Sequence, residues 1–220
     1  MTDLSEDLRN GYRRLGTSTI SDALDRLKIA GQCVGIKPLD RGSRLLGRAF
    51  TVRYVPAGIP GTVGDYIDDL GGGQVVVLDN RAREDATVWG DILTATAHQR
   101  GVEGTVIDGV CRDSDQSLQL GYPIYSRGHW MRTGKDRVIV DAYDVPVTIG
   151  GVRVAPGDLM VGDADGVLAV PWARASEVLE LASAIGAAED AIRTGVLGGM
   201  SLAEARRAHS YHTLQTPKPS

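Results

Sequence analysis

Two carboxylates and a guanidinium stand at a telling spacing: Asp91, twenty intervening residues, then Arg112-Asp113, in the stretch WGDILTATAHQRGVEGTVIDGVCRD. The stretch reads as a loop, a helix, a buried strand and a second loop. A helix of about ten residues and a strand of about five return the chain to the edge it left, so both loops can converge on one side of the fold. Convergence would set two carboxylates beside Arg112. That arrangement suits a hard divalent cation with oxygen ligands, together with an anionic, carbonyl-bearing substrate. Gly90-Asp91-Ile92-Leu93 adds a helix N-terminus whose free backbone N–H groups can receive a carboxylate. Taken alone, Asp91 reads as a helix cap and Arg112-Asp113 as a common surface pair; the weight comes from the joint spacing.

The elements that must position these residues follow from periodicity and punctuation. Residues 4–16 read as a helix, and Thr17-Ser18-Thr19 offers a cap for a second over Ile20 to Leu27. Leu45–Tyr54 has strand character, and a loop over Pro56–Gly64 leads to a short helix near Asp65–Leu70. Gln74–Leu78 is an unbroken β-branched run, hence a buried strand. Gly90–Arg100 reads as a helix, and Gly104–Ile107 as a buried strand ended by an Asp108-Gly109 turn. Ser114–Leu120 follows as a helix and Pro123–Ser126 as a strand. This alternation predicts a partly parallel α/β sheet.

Beyond Asp136 the pattern changes to short β segments, 136–147, 152–154, 159–162 and 166–170, expected as an antiparallel subregion wrapped around the sheet. Pro171 opens a long helix over roughly 173–194, and a shorter one starts near Ser201. The C-terminal helices thus occupy about 172–208, with a tail from His209. One domain over 1–220 is expected at this length.

Composition narrows the function classes. A net charge of −4, with a pI near 5.6, argues against a nucleic-acid binder. The aromatic share is 5%, so the core must be mostly Val, Ile, Leu and Ala. MTDLSEDLRNGYRRLG is charged and lacks an apolar core, so it does not read as a signal peptide. No apolar run approaches membrane-spanning length, and a cytoplasmic protein with no membrane partner is expected. Two cysteines, Cys33 and Cys111, are too few for a disulfide framework or a zinc cluster. Cys111 sits beside the Arg-Asp pair with no histidine near it in sequence, which weighs against a nucleophile.

Other motifs resolve to plainer roles. Gly71-Gly72-Gly73 precedes a strand, whereas a dinucleotide or phosphate loop follows one, so a helix end and tight turn is the better reading. Asp79 and Asn80 begin a polar loop after a buried strand, where α/β proteins place ligands, but turn residues are the default there. Asp158, Asp163 and Asp165 lie between Gly turns without the grammar of a calcium loop, and are expected to stabilise turns.

GDIL followed by AHQRGVEGTVIDGVCRD resembles the RraA-like proteins, a family that includes the 4-hydroxy-4-methyl-2-oxoglutarate / 4-carboxy-4-hydroxy-2-oxoadipate aldolases. STISDAL, GGGQVVVLD, YPIYSRG and PGDLMVGDADGVLAVP carry the likeness across roughly residues 16–200. The resemblance implies a swivelling β/β/α layered domain forming trimers or hexamers. It further implies a class II, divalent-metal-dependent pyruvate aldolase with oxaloacetate decarboxylase activity, taking a keto-acid substrate. Asp113 would bind Mg²⁺ or Mn²⁺, Asp91 would hold the metal's waters, and Arg112 would contact the keto oxygen. Gly90, Asp91, Ile92 and Leu93 would present N–H groups to the pyruvyl carboxylate. Glu189, on the long C-terminal helix, would match a glutamate that reaches a neighbouring subunit's site. Two alternatives are implied as well: a lyase on another keto acid, and a different class, since some RraA-like proteins inhibit an RNA-degrading endonuclease by binding it.

Overall fold

The computed structural model describes residues 4–57 and 64–209. Its centre is an eight-stranded mixed sheet. β2 (Leu45–Pro56), β3 (Gln74–Arg83), β4 (Gly104–Cys111) and β5 (Ile124–His129) pair in parallel, in the order β5-β4-β3-β2. β9 (Leu159–Asp163) and β10 (Gly166–Val170) extend the sheet antiparallel beyond β2, and β1 (Lys37–Pro38) lies outside β5. β6 (Val138–Tyr143) pairs with the far half of β2. Curvature brings the two edges together: Lys37 Nζ donates to the Asp165 carbonyl, in the turn between β9 and β10. The result is a nearly closed, swivelling barrel of the β/β/α kind that the resemblance implies.

The unbroken apolar strands serve two cores at once. Along β3, Val75 and Val77 point inward with Val106, Tyr125, Ile149 and Met160, while Val76 and Leu78 point outward to Ile67, Trp89, Ala97 and Ile107. A strand buried on both faces has no polar alternation to show. The outer layer there is α3 (Asp91–Gln99), α4 (Ser114–Leu120) and a 3-10 turn, Asp65–Asp69. A third core packs α1 (Glu6–Arg13), α2 (Thr17–Arg26) and α5 (Ala175–Leu197) on β9 and β10, through Tyr12, Ile20, Leu24, Val161, Leu168 and Ala182. A last helix, α6 (Leu202–Ala208), starts with a capping box between Ser201 and Glu204.

Several expectations are corrected. Asp108-Gly109 is no turn; β4 runs through it to Cys111, because Asp108 is held from the side by the Gly150 N–H (3.0 Å) and the Arg127 guanidinium. β3 continues to Arg83 with Arg81 and Ala82 at φ 55° and 56°, where a loop was expected. β9 and β10 belong to the main sheet, and only β7 (Val147–Ile149) and β8 (Val152–Val154) form a separate hairpin. The long helix starts at Ala175, after a 3-10 turn, and runs to Leu197. α2 begins at Thr17 with Gly16 as its cap, since Thr17 is engaged elsewhere. The central part of the 56–64 loop falls outside the described residues.

Thr17 is held by Asp163, whose carboxylate accepts from the Thr17 N–H (2.8 Å) and hydroxyl (2.6 Å), the Asp165 N–H (2.9 Å) and the Arg44 guanidinium (3.4 Å). Burial works to raise its pKa, but these donors together outweigh burial and leave the carboxyl below its ordinary value. The stabilisation is therefore present in full above the unfolded-chain value of about 4, and is lost as pH falls through the lower folded value. We expect Asp163→Ala to cost about 2–3 kcal/mol in urea unfolding near neutrality, by stranding buried donors. The difference between variant and wild type should shrink as pH falls below the unfolded-chain value of about 4 and through the lower folded one; a difference unchanged at acid pH would contradict this.

Candidate active site at the β3–β4 edge

Parallel pairing of β3 and β4 sends both following loops to one edge, and there the structure brings Asp91, Arg112 and Asp113 together. The Arg112 N–H donates to the Trp89 carbonyl at 3.0 Å, tying the end of β4 to the approach of α3. Trp89 is buried, its ring stacked on Tyr122 with centroids 6.3 Å apart, and its indole N–H reaches Thr94 Oγ1 at 2.9 Å. Thr94 in turn donates to the Gly90 carbonyl at 2.9 Å. The loop is thus fixed from below before any ligand arrives.

Asp113 occupies the cap position of α4 in the left-handed region, φ 55° and ψ 39°, and its side chain makes no capping bond. A non-glycine residue pays about 1 kcal/mol for that conformation. In exchange the carboxylate turns to the Gly90 loop: Oδ2 lies 3.4 Å from the Asp91 N–H and 3.3 Å from Arg112 Nε. Gly90 is extended, with φ −151°, so its backbone asks nothing special of the residue. Space does. A Cβ on Gly90 would stand 2.8 Å from Asp113 Oδ2 and 3.2 Å from Arg112 Nε.

Beside this cluster lies a cavity of about 360 Å³, lined by Gly90 to Leu93 and Arg112 on one side and by Ile67, Trp89 and Gly134 among others. Asp113 is not in its lining but stands behind Gly90 and Arg112. Of the four amides expected to face a substrate carboxylate, two already have acceptors, Asp91 N–H in Asp113 and Ile92 N–H in the Asp91 carboxylate (2.9 Å). Leu93, in the first turn of α3, has no intrahelical acceptor for its N–H.

No group of three or more His, Cys, Asp or Glu side chains gathers to hold a metal among the described residues. Asp113 and Asp91 offer carboxylate oxygens only, which suits a hard cation that keeps most of its waters. Asp113 and Arg112 remain 40% and 38% exposed, open enough for such a hydrated ion and a substrate to reach them.

Glu189 is elsewhere. It sits on α5 and its carboxylate accepts from the Thr19 hydroxyl at 3.1 Å, so one chain alone does not bring it to the cavity. Asp79 accepts from the Arg81 and Thr148 N–H groups, and Asn80 donates to the Ala86 carbonyl; both are structural. The Cys111 thiol is buried near Ser126 and Gly128, and burial pushes its pKa up, the opposite of an activated thiolate. Sequence reasoning missed Trp89, Thr94 and Gly134. Trp89 carried a signal, a tryptophan directly before a glycine and a helix start; Gly134 carried none.

Comparison with known proteins bears directly on this cluster. The family model described as RraA-like, Aldolase/RraA, matches residues 17–169, a span that holds every residue of the cavity. The chain belongs to the RraA-like family. A relative from Halalkalibacterium halodurans, named "Putative 4-hydroxy-4-methyl-2-oxoglutarate aldolase", is 35% identical over 83% of this chain and 85% of its own length. Protein DlpA of Legionella pneumophila is 38% identical over 96% of this chain, which spans only 35% of DlpA. An uncharacterized protein from Pseudomonas syringae has the same fold at a TM-score of 0.87, with 41% identity over 94% of this chain and 100% of its own. Streptomyces coelicolor RraAS2, described as an unusual member of the RNase ES inhibitor RraA protein family, superposes at 0.78 with 28% identity over 91% and 100%. Among the described residues no helix is long and apolar enough to cross a membrane.

The Gly90 approach generates a sharp expectation. Gly90→Ala should fold, because the groups it meets are side-chain ends, yet displace both the Asp113 carboxylate and Arg112. Turnover should fall by roughly 10²-fold or more while the melting temperature stays within a few degrees; wild-type turnover would contradict the geometry.

Proposed function

We propose that this cleft belongs to a lyase that breaks a carbon–carbon bond in a 4-hydroxy-2-oxo acid and releases pyruvate. The observation that carries the reading is the meeting of Arg112, Asp113 and the N-terminus of α3 at one cavity edge. The aldolase names of relatives support it and print 4-hydroxy-4-methyl-2-oxoglutarate; that compound, with the 4-carboxy-4-hydroxy-2-oxoadipate that the family resemblance implies, is the reference substrate.

A divalent cation, Mg²⁺ or Mn²⁺, held by Asp113 with Asp91 behind its waters, would supply Lewis-acid polarisation of the 2-oxo acid. The protein's own groups do the rest. The Leu93 N–H, at the positive end of α3, receives the substrate carboxylate. The Arg112 guanidinium faces the keto oxygen. A water held by the Asp91 carboxylate takes the C4 hydroxyl proton, the C4–O electrons form a carbonyl, and the C3–C4 pair passes to C3. The pyruvate enolate so formed is stabilised by Arg112 and then protonated at C3. Oxaloacetate follows the same course, because loss of carbon dioxide leaves the identical enolate. No lysine is needed as a covalent partner. We further propose that the chain works as a trimer or hexamer, in which Glu189 acts on a neighbouring copy's cleft.

The rival reading is a protein that binds and inhibits an RNA-degrading endonuclease, the class to which the RraAS2 family name refers. Pyruvate release separates the two. Protein stripped with chelator should release none above the protein-free rate from oxaloacetate or 4-hydroxy-4-methyl-2-oxoglutarate, and Mg²⁺ or Mn²⁺ should restore release well beyond that of the metal alone. Arg112→Ala and Asp113→Ala should each lower turnover by roughly 10³-fold or more while the oligomer survives on gel filtration. Normal activity in folded Asp113→Ala would sink the site assignment, and absent release in metal-loaded wild type would favour the binding protein.

A further inference from the structure

Most side-chain donors on the cavity wall are already spent. Arg112 faces Asp113 at 3.3 Å, and the Trp89 indole N–H goes to Thr94. The Thr87 and Thr96 hydroxyls give their protons to the carbonyls of Arg132 (3.1 Å) and Ile92 (2.9 Å). Thr133 is different. It is half-buried in the wall, and its hydroxyl accepts from the Lys135 N–H at 3.2 Å, which engages one lone pair and leaves the proton to give. Among the described residues no acceptor takes that proton. Asp65 and Asp68 also line the cavity, but as exposed carboxylates they provide a ligand with no donor, and water and salt screen their field.

The backbone that carries this hydroxyl is held on several sides. Thr133 bridges Thr87 in parallel, and the neighbouring Arg132 carbonyl accepts both the Thr87 N–H (3.0 Å) and its hydroxyl. The Thr133 carbonyl receives the Arg137 guanidinium at 3.2 Å, and Gly134 lies against the Thr87 carbonyl with no room for a Cβ. Thr87 precedes Gly90 by three residues, so this anchor stands at most about 10 Å along the chain from the start of α3. A five-carbon acid whose first carboxylate sits at the N-terminus of α3 can turn its other end toward it. The described lining offers that end no second arginine or lysine. We propose that Thr133 is a specificity-determining residue, whose hydroxyl donates to the far carboxylate of the 2-oxo acid and favours substrates of the glutarate type over those with an alkyl end. This rests on the lyase reading above and deepens it at the same cleft. A hydrogen bond to a charged acceptor is stronger than one between neutral groups, and an alkyl end would leave the hydroxyl proton unmatched in a partly closed site.

The test uses the full chain with Mg²⁺ and a matched pair of substrates, 4-hydroxy-2-oxoglutarate and 4-hydroxy-2-oxopentanoate, which differ at the far end by a carboxylate against a methyl. Wild type should prefer the glutarate in kcat/KM. Thr133→Val keeps the shape of the side chain and cannot donate, so the glutarate-to-pentanoate ratio should fall by roughly tenfold, chiefly through KM for the glutarate. Thr133→Ser keeps the hydroxyl and should bring the ratio back. Calorimetric binding of 2-oxoglutarate against 2-oxopentanoate, with the same variants, makes the comparison without turnover. A merely structural role for Thr133 would lower both substrates together and leave the ratio where it was. A ratio unmoved in folded Thr133→Val, or a wild type that prefers the pentanoate, would overturn the proposal and leave the lyase standing. Neither release nor binding of any of these compounds by metal-loaded wild type would remove the lyase reading, and the role of Thr133 with it.

Discussion

Parallel strands have a consequence antiparallel ones lack: neighbours deliver their C-terminal ends to the same edge. The hydrogen-bonded pairing of β3 with β4, from Val75↔Gly104 to Asp79↔Asp108, imposes this on the loops that follow. The Arg112 N–H to Trp89 carbonyl bond then fixes the offset between them. The rest of the site depends on that closure. Asp113 can afford a left-handed backbone because the strand before it is fully buried and the Trp89 loop is braced through Thr94 and Tyr122. Gly90 must lack a side chain because the closure leaves none of the space one would need.

The aspartates divide cleanly by environment. Asp79, Asp108 and Asp163 are buried and each carboxylate oxygen pair is engaged by backbone or arginine donors, and they pin the β7–β8 hairpin and the start of α2 to the sheet. Asp158 does the same for the turns before β9 and after β10, through the Ala155 and Trp172 N–H groups. Asp91 and Asp113 are the contrast. They are exposed, and their contacts are long, as at Asp113, or made to the next residue, as at Asp91, so they exchange readily for a ligand. A buried carboxylate committed to short bonds from backbone or arginine donors has little left to offer a cation, whereas one at a cavity edge does.

This division marks how far the sequence could be read. The spacing of Asp91 and Arg112-Asp113 was legible because helix and strand rises are fixed lengths, so loops separated by one helix and one strand must return to the same edge. The three-core packing was only half legible, since Val75 to Leu78 look alike in sequence although alternate residues serve different layers. The Asp108-Gly109 dipeptide reads as a turn on local preference. Its strand conformation comes from Gly150 and Arg127, far away in sequence. The same remoteness hid Gly134, whose packing against the Thr87 carbonyl closes the cavity floor, and hid the 3-10 turn as a wall of the site.

The central claim is that Asp113 and Arg112 present one ligand-binding edge to a metal and a 2-oxo acid. The most direct measurement is a crystal structure of the protein grown with Mn²⁺ and oxalate, a stable mimic of the pyruvate enolate, with anomalous data collected for manganese. The account predicts a manganese peak at the Asp113 carboxylate, about 2.2 Å from its oxygen if bound directly or about 4 Å if one water intervenes, with oxalate between Arg112 and the N-terminus of α3. A fully occupied manganese site away from Asp113, or oxalate bound clear of Arg112, would contradict it.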